Sequence, residues 1–323
     1  MLAITLGDPT GIGPEVVVRA LSARPTNGLI LFGDVGVLED TARRMGLFLP
    51  SGIEIQAVTR LSPADRRPGQ PNTEAGRAQV AYLEAATAAA LSGQVAGIVT
   101  APISKTWAGR AGFGFPGHTE YLAHASQVAE IAMMLAGPSL KTTVATTHIA
   151  LRDVAQALTI QNVARAILLT SRALSQHFGC IAPKVAVAAL NPHAGEDGRF
   201  GDEESRIIAP AIEQSRRQLR AEGVDCHITG PAVPDVVFRQ AAMGQFDAVV
   251  AMYHDQGLIP VKLHDFDRTV NVTLGLPFVR TSPDHGTAYD LAGSGQARPD
   301  SFIAALDLAR QMLGFTPTMP ARP

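Results

Sequence analysis

Three apolar, strand-like runs each end on an imidazole: KTTVATTH at His148, KVAVAALNPH at His193 and FDAVVAMYHD at His254. In open parallel sheets the carboxyl ends of the strands share one edge, where ligands bind, so imidazoles at three such ends are placed to converge. Neutral imidazole is the commonest side-chain metal ligand near neutral pH. Three imidazoles with an open coordination position make a catalytic zinc site. Each histidine taken singly also reads as a loop residue; the repetition is what points to a metal.

Other segments offer chemistry of their own. GDPTGIGPE (7–15) follows a strand and opens a helix, with Asp34 further on, and so imitates the dinucleotide-binding fingerprint. Val16 stands where the third glycine belongs, which favours a tight turn flanked by two site-like acids, Asp8 and Glu15. NPHAGEDGRFGDEE (191–204) is too acidic to cradle phosphate. It presents His193 and offers carboxylates that could orient metal ligands through the second ring nitrogen, or it is a solvated loop capping the next helix. FPGHTEYLAHA (115–125) predicts a helix amino terminus at His118, Thr119 and Glu120, which favours an anionic group. Lys262, Asn271 and Arg280 follow at nine-residue intervals. The two cations could hold phosphate or carboxylate, or be surface charges. DHGTAYDLAG (284–293) mixes small residues with Asp290 and suits close approach of a flat ligand. His124, His177 and His227 fall in helix- or loop-like stretches and receive no role.

These residues need a scaffold. Strand-like runs near 2–6, 28–33, 96–100, 141–147, 184–190 and 247–253 alternate with helical patterns from Pro14 and over 73–92, 160–177, 203–222, 234–244 and 300–313. That alternation predicts an α/β fold with mainly parallel strands. At 323 residues two domains are expected, and 46% hydrophobic against 17% charged residues can fill their cores. A net charge of −2 gives no footprint for nucleic acid, so the partner is read as a small molecule. Cys180 and Cys226 form no CxxC pair, so neither a disulfide framework nor a thiolate zinc site is indicated, which fits a reducing compartment. No basic leader precedes the ITL segment, and no apolar run approaches the roughly 20 residues that span a bilayer. A soluble, cytoplasmic protein is expected. No internal repeat or low-complexity linker is seen, and the proline-rich tail after Phe315 is expected to fray.

Taken together, GDPTGIGPE, VTAPISK (99–105), GHTE, ATTH, LNPHAGE, MYHDQGLIPVK and VNVTLGLPFVRTSPDHGTAYDLAG closely resemble the 4-hydroxythreonine-4-phosphate dehydrogenase family, over nearly the whole chain. The resemblance implies a two-domain fold like that of isocitrate and isopropylmalate dehydrogenases, with a cleft between domains. Residues 1–120 with 272–323 would form a first domain carrying both termini and the cofactor loop; 121–271 would form a second carrying the metal histidines and a dimer interface. It further implies a divalent metal held by His148, His193 and His254, zinc first and magnesium or cobalt next, with the third histidine coming from the other subunit of a homodimer. Substrate contacts would be His118, Thr119, Lys262, Asn271 and Arg280, with Asp235 and Asp255 as nearby acids. DHGTAYDLAG looks like the adenosine-binding loop of the isocitrate dehydrogenases, so Gly286, Thr287, Asp290 and Leu291 would hold NAD. Asp290 would favour it over NADP, whose phosphate a carboxylate repels.

The activity so implied is NAD-dependent oxidation of 4-hydroxythreonine 4-phosphate at C3, followed by decarboxylation, in vitamin B6 biosynthesis. The general base stays open between Lys262 and Asp255. Relatives with the same motifs oxidise threonate or erythronate 4-phosphate or aromatic-acid dihydrodiols. From another class, a metal-dependent hydrolase could use the same three imidazoles to activate water. A non-catalytic metal- or sugar-phosphate-binding protein is a third reading.

Overall fold

The computed structural model describes residues 1–314; the tail from Phe315, where fraying was expected, lies outside them. Among these residues the strands are β1 (Leu2–Thr5), β2 (Leu29–Gly33), β3 (Glu54–Ala57), β4 (Gly97–Thr100), β5 (Ala132–Ala136), β6 (Lys141–Val144), β7 (Lys184–Ala188), β8 (His227–Ala232), β9 (Ala248–Ala251), β10 (Val270–Leu274) and β11 (Val279–Pro283). The α/β architecture expected from the alternating pattern is the one that forms. Contacts divide the chain into one unit of Met1–Ala129 with the segment from Leu276 onward, and a second of Glu130–Gly275.

In the first unit the strand order is β3-β2-β1-β4-β11, all parallel. β1, β2 and β4 are buried throughout, as strands covered on both faces must be, and each is accordingly an unbroken apolar run. The helix Thr73–Leu91 starts where the Asn72 side chain accepts from Ala75 N at 2.9 Å. Gly76 in its first turns lets the helix Lys105–Arg110 come close, since a Cβ there would stand 2.4 Å from the Trp107 carbonyl.

The second unit runs β10-β5-β6-β9-β7-β8. Only β5 opposes its neighbours, pairing antiparallel with both β10 and β6. β6, β9, β7 and β8 are mutually parallel. Alternate residues of β7 and β9 serve different cores. Val185, Val187, Ala248 and Val250 pack on Val163, Ile167 and Leu174 of the helix Ile160–His177 and on Ile212 of the helix Ala209–Ala221. Ala186, Ala188, Val249 and Ala251 face Val237 and Phe238 of the helix Pro234–Ala242 and Leu258 and Val261 of the helix His254–Asp265. This period-two division is what strands covered on both faces require. Thr159 and Asn162 cap the long helix reciprocally through side chain and backbone.

Candidate active site

His148, His254 and His193 follow β6, β9 and β7, which are adjacent in that order, so all three leave the same carboxyl edge of the second unit. Two of them meet. The His148 and His254 rings lie 5.5 Å apart between centroids at 45°. Their strand ends are tied together just upstream: Thr146 donates to the Met252 carbonyl through Oγ1 at 2.8 Å and through its amide at 3.2 Å. Gln256 then clamps the edge. Its Oε1 accepts from Met252 N at 2.6 Å while its Nε2 donates to the Ala189 carbonyl at 2.7 Å. His254 opens its helix behind an extended Tyr253, and its Nδ1 lies 2.7 Å from Asp255 Oδ1. In a neutral imidazole that bond places the proton on Nδ1 and leaves Nε2 as the electron-pair donor, the arrangement seen in metal-ligating histidines. The donor set therefore fits a divalent cation of borderline softness.

His193 takes a different course. Four non-glycine residues of its loop adopt left-handed backbone, with φ of 53° at His193, 55° at Ala194, 43° at Glu196 and 55° at Asp197. Each costs about 1–2 kcal/mol, so the turn needs support from outside itself. The buried Glu204 supplies it: Oε1 accepts from Leu190 N at 2.9 Å and Asn191 N at 2.8 Å, and Oε2 from Asn191 Nδ2 at 3.1 Å. Glu203 and Glu204, two acids of this loop, thus engage its backbone and Asn191. The imidazole of His193 sits edge-on to Phe200 at 6.1 Å. Among the described residues no three His, Cys, Asp or Glu side chains gather into a set able to hold a metal. The convergence expected of three imidazoles is realised within one chain for two of them.

In the first unit, Gly117 is the N-cap of the helix His118–Ala125, as GHTE predicted. Arg280 on β11 is 3% exposed and donates to Thr100 Oγ1 at 2.9 Å. Burial lowers its pKa to about 10, with Glu120 opposing the change, so it stays cationic at neutral pH. The His118 Nε2 is shut off from solvent with no hydrogen-bond partner. Burial first, then the charges of Arg280 and Lys105, hold this imidazole well below its usual range. A neutral ring beside two cations at a helix amino terminus is a setting that favours negative charge.

The expected cofactor loop packs on the glycine-rich amino-terminal loop of the same unit. Tyr289 donates to Asp8 Oδ2 at 2.6 Å, Ile12 N to the Thr287 carbonyl at 2.9 Å, and Gly293 N to Glu15. Asp8 and Glu15 are therefore the walls that hold this loop. Asp34 caps the helix Val35–Arg44 through Val37 N at 3.2 Å and accepts from Leu61 N at 2.6 Å and Thr59 Oγ1 at 3.0 Å. All of this carboxylate is used structurally, which disposes of the dinucleotide fingerprint. Gly286 has open space where a Cβ would stand, and Asp290 and Leu291 are exposed.

Residues 27–309 match the family model described as pyridoxal phosphate biosynthetic protein PdxA. The chain belongs to the PdxA family. A 4-hydroxythreonine-4-phosphate dehydrogenase of Desulfosudis oleivorans is 46% identical, covering 96% of this chain and 95% of the relative. A D-threonate 4-phosphate dehydrogenase of Salmonella typhimurium is 44% identical over 96% of this chain and 97% of its own. The crystal structure of 4-hydroxythreonine-4-phosphate dehydrogenase from Klebsiella pneumoniae superposes with a TM-score of 0.86 at 41% identity, covering 97% of each chain.

In this PdxA chain the remaining expected residues are distributed as follows. Lys262 is half-buried on the helix that His254 opens, and Asp235 is exposed in the first turn of the helix Pro234–Ala242. Asn271, on β10, has its Oδ1 shielded from solvent without a hydrogen-bond partner. Thr119 is half-buried in the first turn after Gly117. Sequence reasoning missed Gln256, Thr146 and Glu204, whose work is to hold strand ends and loop backbone. Gln256 sits two residues beyond His254, and no spacing rule marks an amide there as a clamp.

Proposed function

We propose that this chain oxidises the C3 hydroxyl of 4-hydroxythreonine 4-phosphate with NAD and releases carbon dioxide, yielding 3-amino-2-oxopropyl phosphate. The observation that carries this reading is the imidazole pair at one sheet edge, one ring already oriented by a carboxylate, in a chain whose family is named for this pathway.

His148 and His254 of one chain, with His193 of a second copy, would hold a divalent cation, zinc by ligand preference and magnesium or cobalt as alternatives. When bound, the cation supplies Lewis-acid stabilisation of negative charge on substrate oxygens, and the nicotinamide supplies a hydride acceptor. The chain's own residues do the rest. Arg280 and the amino terminus at His118 and Thr119 bind an anionic group of the substrate, with His118 neutral and acting as a hydrogen-bonding partner. Asn271 offers a shielded acceptor to a substrate donor. Asp255 is committed to orienting His254, which leaves Lys262, on the same helix, as the better base. Asp235 is kept as a nearby acid. Gly286, Thr287, Asp290 and Leu291 would receive the adenosine of NAD, Asp290 accepting from the ribose.

A homodimer follows from the missing third ligand, and an apolar stripe supports it: Ile259, Leu263 and Phe266 are 55%, 81% and 72% exposed at helical spacing. No helix among the described residues is long and apolar enough to cross a membrane. Two unpaired cysteines fit a reducing, cytoplasmic setting.

D-threonate 4-phosphate is the second reading, since a relative named for it stands at 44% identity. Measuring kcat/KM for both phosphates and for an aromatic dihydrodiol, with NAD and each metal, decides between them. Release of phosphate without reduced nucleotide would instead identify a hydrolase.

A further inference from the structure

Lys105 belongs to no role assigned so far. It opens the helix Lys105–Arg110 behind the N-cap Ser104, and its position is fixed by buried bonds. Ser104 N donates to Gln79 Oε1 at 2.7 Å, and Gln79 Nε2 returns to the Ser104 carbonyl at 3.4 Å. From there the side chain runs past Gly117. A Cβ on that residue would lie 3.4 Å from Lys105 Cε, 3.9 Å from Nζ and 3.3 Å from Glu120 Oε2. The lysine side chain therefore lies beside the first turn of the helix His118–Ala125. Arg280 and Lys105 both bring positive charge to His118, and Glu120 acts on Arg280. The second, independent sign of a ligand is the His118 Nε2, shut off from solvent there with no hydrogen-bond partner.

We propose that Lys105 is a phosphate-binding residue of this site, acting with Arg280 and the helix amino terminus at His118 and Thr119 to hold the phosphate group of the substrate. The proposal deepens the dehydrogenase reading by naming a residue that selects phosphorylated substrates. Arginine at position 280 offers a buried planar fork, and the exposed lysine adds a compact point charge.

The test titrates inorganic phosphate into the full-length wild-type protein, K105Q and K105R at constant ionic strength. Calorimetry gives Kd, and the His118 ring resonances report occupancy. Phosphate should bind the wild type and move the His118 resonances, K105Q should bind about tenfold or more weakly, and K105R should recover most of the affinity. With the phosphorylated substrate, K105Q should raise KM by a similar factor and leave kcat within about threefold. Equal phosphate affinity in wild type and K105Q, with unchanged melting temperatures, would overturn the proposal. The calorimetric arm needs no turnover. Phosphate binding that depends on Lys105, in a protein that oxidises neither phosphorylated substrate, would sink the dehydrogenase reading and leave the phosphate site standing.

Discussion

At His118 burial, then the charges of Arg280 and Lys105, act against protonation, and stability should register this. The folded-state pKa lies below the ordinary value of 6.5, so the unfolded chain takes up a proton first as pH falls. Stability is therefore highest above about pH 6.5 and declines below it, the loss levelling off once pH passes the folded-state value. Denaturant unfolding between neutral and mildly acidic pH should give a shallower slope in H118N than in the wild type; equal slopes would show that the imidazole is not held neutral. Asp255 carries a second expectation. Removing the carboxylate that orients His254 should weaken zinc binding roughly 10- to 100-fold in D255N, measured by chelator competition. These residue types were visible in the sequence as candidates. Their states were not, because a pKa depends on neighbours that the chain brings from far away, as Arg280 and Lys105 come to His118.

Among the elements, the parallel strands that were legible are those lying in largely apolar runs: β1, β2 and β4, and β6, β7 and β9 within the runs that end on the three histidines, whereas the parallel edge strands β3 (EIQA) and β8 (HITGPA) carry no such run and were not read. β5 was not read, since AMMLA carries neither a period-two pattern nor β-branched residues, and its antiparallel pairing has no local signal. The left-handed turn at His193 was equally hidden. Residues such as Ala194 and Glu196 disfavour positive φ, and what sustains it is Glu204, lying beyond the turn. E204A should cost about 1–3 kcal/mol by leaving the Leu190 and Asn191 amides without their acceptor. Urea denaturation would measure that loss, and zinc affinity should fall with it if His193 is a ligand. A stability within a few tenths of wild type would mean that the turn supports itself.

For the whole molecule, the family and reaction type were readable from motif order; a metal site shared between two chains was implied by the family resemblance alone, since no spacing of residues encodes it. A single chain brings His148 and His254 together and leaves His193 apart, so the account requires two copies. Light scattering should return twice the 34.0 kDa chain mass for the wild type and a shift toward the single mass for L263E, whose charge falls on the exposed apolar stripe. Mixed subunits test the sharing itself: H148A and H193A, each inactive alone, should regain part of the activity when co-assembled. The most direct measurement is the near-ultraviolet absorbance of reduced nicotinamide when metal-stripped protein is mixed with NAD and 4-hydroxythreonine 4-phosphate, before and after zinc or magnesium is restored. Metal-dependent formation of the reduced nucleotide, abolished in H254A, is the predicted result. Reduction at the same rate without metal, or none with it for either phosphorylated substrate, would contradict the account.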